Sequence, residues 1–103
     1  MKDYKYLVWQ KAHQLTLDVY KLSAKYPKEE IFNLVSQIKR LSRSIATHIA
    51  EGCGRKSDKD FARFLYISFG SANELEYQIL LSKDLNFISP EEFEILYEYS
   101  VAE

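Results

Sequence analysis

The stretch that decides the fold is LVSQIKRLSRSIATHI, residues 34–49. Within it Leu34, Ile38, Leu41, Ile45 and Ile49 recur at spacings of four, three, four and four. That repeat puts five apolar side chains on one face of an α-helix. Ser36, Lys39, Arg40, Arg43 and Thr47 fall on the opposite side, so one face is built for a core and the other for water. Upstream, Pro27 with Glu29 and Glu30 predicts a helix start near Lys28, because proline suits a first helical turn and carboxylates favour the positive end of the helix dipole. Downstream, Gly52-Cys53-Gly54 predicts the stop, either glycine being able to supply the left-handed residue that ends a helix.

The same reading extends to both flanks. Val8, Ala12, Leu15, Val19 and Leu22 alternate by four and three and predict a first helix over about residues 6–25, closed by Pro27. Ser57 with Asp60 three positions on reads as an N-cap opening a third helix that runs to about residue 83. Asn86 marks a turn. Ser89-Pro90-Glu91-Glu92 combines a capping serine, a proline at the first position and a glutamate at the third, and opens a short fourth helix with Phe93, Leu96 and Tyr99 or Ser100 on one side. The expected architecture is all-α: an antiparallel up-down four-helix bundle with a short fourth helix, a single domain over residues 1–103.

Composition agrees with that reading. The chain has 103 residues, 47% hydrophobic and 28% charged, with three glycines and two prolines. So few turn residues argue against disorder and turn-rich β folds. A single cysteine excludes a disulfide within the chain. No apolar run approaches the roughly 20 residues that span a bilayer, and Met1-Lys2-Asp3-Tyr4-Lys5 lacks the apolar core of a signal peptide, so a cytoplasmic protein without a membrane partner is expected.

The net charge of -1 averages two unlike halves. Residues 1–60 carry 12 Lys and Arg against 7 Asp and Glu, whereas residues 61–103 carry 2 against 8. Helices of opposite sign attract one another within a fold or across subunits. The alternative is a basic surface for a polyanion. Lys39, Arg40, Arg43, Arg55, Lys56 and Lys59 face only Glu51 and Asp58 over the same stretch, a local balance of +4.

The third helix differs from the second. Phe61, Phe64, Ser68, Ala72, Leu75 and Ile79 form the expected core stripe, yet Tyr66, Phe69, Tyr77 and Leu80 make its far side apolar as well. One helix of a small bundle cannot bury both faces in its own subunit, which predicts self-association through Tyr66, Phe69, Gly70, Tyr77 and Leu80. Gly70 fits there, since a mid-helix glycine costs roughly 1 kcal/mol relative to alanine and is explained by close backbone approach.

Gln37, Ser44 and Glu51, spaced by seven, draw a polar line along the border of the second helix's core face, and Glu74 holds a similar border on the third. Such groups hydrogen-bond between helices and fix register. Glu51 is expected to pair with Arg40, Arg43, Arg55 or Arg63. His48 reads as a half-buried hydrogen-bonding group: di-metal bundles need Glu-x-x-His, which is absent, and there is no second cysteine for zinc. Cys53, His48 and Glu51 come from one helix end without an anion hole, so Cys53 reads as a packing residue. Gly54-Arg55-Lys56-Ser57 fails as a phosphate loop, having Arg55 where the loop needs glycine and a helix where it needs a strand. No catalytic set, cofactor or metal is expected.

Trp9-Gln10-Lys11-Ala12, Ser36-Gln37-Ile38-Lys39-Arg40, the run from Ser44 to Gly52, and Phe64-Leu65 with Gly70-Ser71-Ala72-Asn73-Glu74-Leu75-Glu76 together carry a family pattern. It resembles the bacterial four-helix-bundle proteins encoded by intervening sequences within 23S rRNA genes, often catalogued as ribosomal-protein-like. The resemblance covers essentially the whole chain and implies a ring, typically of five subunits. The chain is also similar to the accessory variability determinant of diversity-generating retroelements, which implies RNA or DNA and a reverse transcriptase as partners. His48 stands where the family usually has Asn, and Ser68 where Ala is common. The functional expectation is a non-enzymatic homo-oligomer, with a pentamer implied by the resemblance, whose Lys39, Arg40, Arg43, Arg55, Lys56 and Lys59 contact nucleic-acid phosphates. The alternative is a protein-interaction scaffold with no nucleic-acid role.

Overall fold

Four helices carry the chain in the computed structural model, which describes residues 3–101 and the side chains of residues 4–98. They are α1 (Asp3–Ser23), α2 (Ser36–Cys53), α3 (Asp58–Asp84) and α4 (Pro90–Val101), with no strand among the described residues. α2 is the centre of the bundle. It packs against α1 on one side and α3 on the other, while α1 and α3 meet near their starts, where Lys5 reaches Asp58 and Phe61, and diverge beyond, with α4 bridging them. The core is one cluster, with Val19, Ile38, Leu41 and Leu75 at its most buried positions.

The helix starts follow the expected chemistry at two places. Ser57 Oγ accepts the Asp60 backbone N–H at 3.1 Å and opens α3. At α4 the box is reciprocal: the Glu92 N–H donates to Ser89 Oγ at 3.0 Å, and the Ser89 N–H donates to a Glu92 carboxylate oxygen at 2.7 Å. Each bond satisfies an N–H that the helix itself leaves without a partner. Asn86, at φ 66°, takes the left-handed turn after α3, a conformation asparagine tolerates better than most residues. Of the residues expected on one side of α4, Leu96 is buried and Phe93 half-buried, and Tyr99 and Ser100 lie outside the described side chains.

Two boundaries need correction. The α2 segment does not start as an α-helix near Lys28. A 3-10 turn (Lys28–Glu30) and a π turn (Ile31–Val35) precede it. The Glu30 carboxylate accepts the Leu34 N–H at 3.3 Å, closing the wider turn so that Leu34 and Val35 point inward while Phe32 is left 96% exposed. Neither glycine at the end of α2 is left-handed, and Gly54 sits at φ -82°. Gly52 serves packing instead: a Cβ there would come within 2.8 Å of Phe64 Cβ and 3.2 Å of the Phe61 ring.

Buried hydroxyls tie the helices where they approach most closely. Ser68 Oγ donates to the Ile45 carbonyl at 3.0 Å between α3 and α2, and Thr16 Oγ to the Ser42 carbonyl at 3.1 Å between α1 and α2. A small side chain allows the approach and its hydroxyl finds an acceptor, so no polar group is stranded. The Tyr26 hydroxyl is the exception. It is buried and meets no partner in good hydrogen-bonding geometry among the described residues; burial pushes the phenol above its ordinary pKa, and the nearby Ser82 hydroxyl, which donates to the Gln78 carbonyl, draws it partly back.

Candidate functional site

The solvent face of α2, the turn after it and the first turn of α3 bring the six cations of the basic stretch to the surface. Arg40, Arg43, Arg55, Lys56 and Lys59 are exposed and Lys39 half-buried. Among the described residues Arg55 alone of the six forms an ion pair, with Glu51 at 3.2 Å one helical turn back. Lys39 Nζ stands 4.8 Å over the Tyr20 ring of α1, and Arg40 donates to Gln37 Oε1 at 2.9 Å. Among the described residues the bridge from the basic front to the acidic C-terminal helix is Lys25–Glu92 at 2.6 Å, at the far end of α1.

At the start of α3 the charges crowd a single ring. Arg55 and Arg63 each lie 4.8 Å from the Phe64 centroid, and His48 stacks on it at 6.5 Å. Two guanidiniums on one ring are tolerable because each has a carboxylate: Glu51 for Arg55, and Asp60 for Arg63 at 3.9 Å. Lys5 joins from α1, its stem buried, with Nζ 3.6 Å from Asp58 and 4.7 Å from the Phe61 ring.

The polar line divides by position. Ser44 alone reaches across helices, its Oγ 3.1 Å from Ser71 Oγ on α3. Gln37 and Glu51 bond along their own chain segment, to Arg40 and Arg55, and Glu74 is exposed. His48 is half-buried, and its Nδ1 lies 2.8 Å from the Ser44 carbonyl and 3.3 Å from Ser44 Oγ. An Nδ1 held by a carbonyl carries the proton, which leaves Nε2 as the second ring nitrogen. Cys53 is half-buried near the Lys5 carbonyl, and burial pushes its thiol up, away from the thiolate a nucleophile needs. Among the described residues no group of three His, Cys, Asp or Glu is placed to hold a metal, and no helix is long and apolar enough to cross a membrane.

The far side of α3 is open. Tyr66, Phe69, Tyr77 and Leu80 are exposed, and a Cβ added at Gly70 would meet nothing within 4 Å. Among the described residues no backbone therefore accounts for Gly70. Beside it, where α1 and α3 diverge, lies an apolar groove of about 380 Å³ floored by Ile45 and Ile49 of α2 and walled by Val8, Leu65, Tyr66 and Phe69.

Sequence reasoning passed over one feature. On α1 the Trp9 and His13 rings are parallel within 4° at 5.1 Å, and Tyr6 continues the stack at 6.1 Å and 26°. The signal was present in the spacing of 6, 9 and 13, but it mixes three residue types.

The profile of the 23S rRNA-intervening sequence protein family matches residues 4–101. Among solved structures, the chain is similar to a protein of unknown function from the S23 ribosomal protein family of Bacteroides thetaiotaomicron. The two are 28% identical, with a TM-score of 0.82 over 93% of this chain and 87% of that one. No curated protein matches.

Proposed function

Since the chain belongs to the 23S rRNA-intervening sequence protein family, we propose that it acts as a non-enzymatic homo-oligomeric binding module, with α2 and the following turn contacting RNA or DNA phosphates. The observation that carries this reading is the state of the cations: of Lys39, Arg40, Arg43, Arg55, Lys56 and Lys59, five have no carboxylate partner among the described residues. An exposed cation strip without counter-charges attracts a polyanion, and several copies around a ring multiply the field. Self-association through Tyr66, Phe69, Gly70, Tyr77 and Leu80 supplies those copies, and five is the number the resemblance implies.

Binding of this kind weakens steeply with salt, since each phosphate contact releases counterions. The test is a titration of the full chain with RNA and DNA between about 50 and 200 mM salt. Charge reversal at Arg43 and Lys56 is expected to abolish binding and leave the oligomer's mass unchanged by light scattering. Failure to bind at the low-salt end overturns the proposal. A second reading, a protein-interaction scaffold that includes a partner such as a reverse transcriptase, is favoured by the apolar groove beside α3. It predicts a stable protein complex indifferent to nuclease.

A further inference from the structure

We infer that the Tyr6, Trp9 and His13 rings of α1 form a platform on which the bases of a single-stranded nucleic acid stack, while cations of α2 hold its phosphates. The inference rests on the phosphate-binding reading above and adds which form of nucleic acid is taken. Tyr6, Trp9, His13, Thr16 and Tyr20 are spaced by three, four, three and four, so they share one flank of α1. Two contacts show where that flank lies. Thr16 Oγ donates to the Ser42 carbonyl and Lys39 Nζ covers the Tyr20 ring, so the flank runs along the edge of α2 that bears the cations. The helices are antiparallel, and at the other end Cys53 Sγ lies 3.7 Å from the Lys5 carbonyl. The rings therefore have Lys39 and Arg43 near one end, and Arg55 and Lys56 follow α2 at the other. From Tyr6 to Tyr20 the flank is about 21 Å long at 1.5 Å per residue.

The ring geometry suits added bases. Tyr6 is 44% exposed, His13 exposed and Trp9 half-buried between them, so the stack is not absorbed into the core and a base adds at its outer faces, on Tyr6 or on His13. In a duplex the base faces are occupied by neighbouring base pairs; a single strand can present them to aromatic side chains, and such stacking tolerates any sequence. Of the nearby carboxylates, Glu51 is paired with Arg55 and Asp58 with Lys5, while Asp18 keeps its charge, hydrogen-bonded to the neutral Gln14 amide at 3.0 Å. The strip thus offers π-faces beside Lys39, Arg43 and Lys56, cations with no carboxylate partner among the described residues, against the single charge of Asp18.

Trp9 is the only tryptophan, so its fluorescence reports on the platform directly. The full chain is titrated at about 50 mM salt with oligothymidylate and oligouridylate of about twelve nucleotides, and with a DNA duplex of equal length. Both single strands are expected to quench Trp9, or one of them if the sugar is discriminated, while the duplex does not. His13→Ala, at an exposed position whose fold is checked by circular dichroism, is expected to weaken single-strand binding about ten-fold and leave duplex binding unchanged. Single strands that bind without altering Trp9 emission, or equally well in His13→Ala, overturn the platform and leave the phosphate-binding reading standing. No binding of either form overturns both.

Discussion

Along its edge against α2, α3 meets a glycine and small hydroxyl residues; along its edge toward α1, it meets a gap that α4 fills over only part of its length. The first edge is closed by Gly52 beneath Phe61 and Phe64, by the Ser68 hydroxyl on the Ile45 carbonyl, and by Ser44 opposite Ser71. The second keeps an apolar groove flanked by Tyr66 and Phe69. Both edges are apolar, so hydrophobicity alone does not decide which one closes. What decides is whether small residues let the backbones approach and whether their polar atoms find partners on arrival. The open edge remains as apolar surface available to another chain.

The largest expected effect separates the two sides of α3. Leu75 is fully buried, so Leu75→Ala should cost about 2–5 kcal/mol in urea unfolding, through lost transfer energy and a cavity. Phe69→Ala, at a residue 52% exposed, should cost about 1 kcal/mol or less in the isolated subunit and act instead on association, lowering the mass seen by light scattering at a given concentration. Equal losses of stability from the two would remove the distinction between the faces.

The glycines test the same contrast with opposite signs. At Gly52 an added methyl collides with Phe64 Cβ, a position fixed by the α3 backbone, so Gly52→Ala should destabilise by about 1–3 kcal/mol despite the better helix propensity of alanine. At Gly70 the methyl enters open space, and Gly70→Ala should stabilise the subunit by up to about 1 kcal/mol. If Gly70→Ala also dissociates the oligomer, the close approach that explains this glycine belongs to a second chain. If both substitutions stabilise, Gly52 has no packing role.

These outcomes also mark where the sequence was readable. The stripe from Leu34 to Ile49 and the caps at Ser57 and Ser89 were legible because a period or a single local bond determines them. Gly52 was misread as a left-handed stop because helix termination and tight helix crossing both call for a glycine, and only the position of Phe64 tells them apart. The π turn at Ile31–Val35 leaves the apolar pattern of α2 nearly intact, so no period betrays it. The aromatic stack on α1 is hidden because the flank is defined by spacing across three residue types, Tyr, Trp and His, which no apolar period singles out. The groove depends on how far α1 and α3 diverge, a property of two helices that neither sequence contains.

The smallest effect concerns the closed part of the α1–α3 gap, where α4 is held by a polar clasp as well as by Leu96. Glu92 accepts from Lys25 at 2.6 Å and from the Ser89 N–H, and these bonds, the Lys25 one foremost, hold its carboxyl below the ordinary glutamate range. A carboxylate with a lowered folded pKa contributes stability that is complete above its unfolded value and is lost as pH falls through the folded one. α4 should therefore loosen as the solution is acidified below the ordinary glutamate pKa of 4.5. Glu92→Gln should cost about 1 kcal/mol at neutral pH, as the loss of a cap does, and flatten the acid limb of the stability curve. Amide exchange in α4 is the measurement that isolates this. Faster exchange in α4 than in α2 on acidification, abolished in Glu92→Gln, ties the clasp to this carboxylate, whereas uniform loosening of all four helices would assign the acid sensitivity to the bundle as a whole.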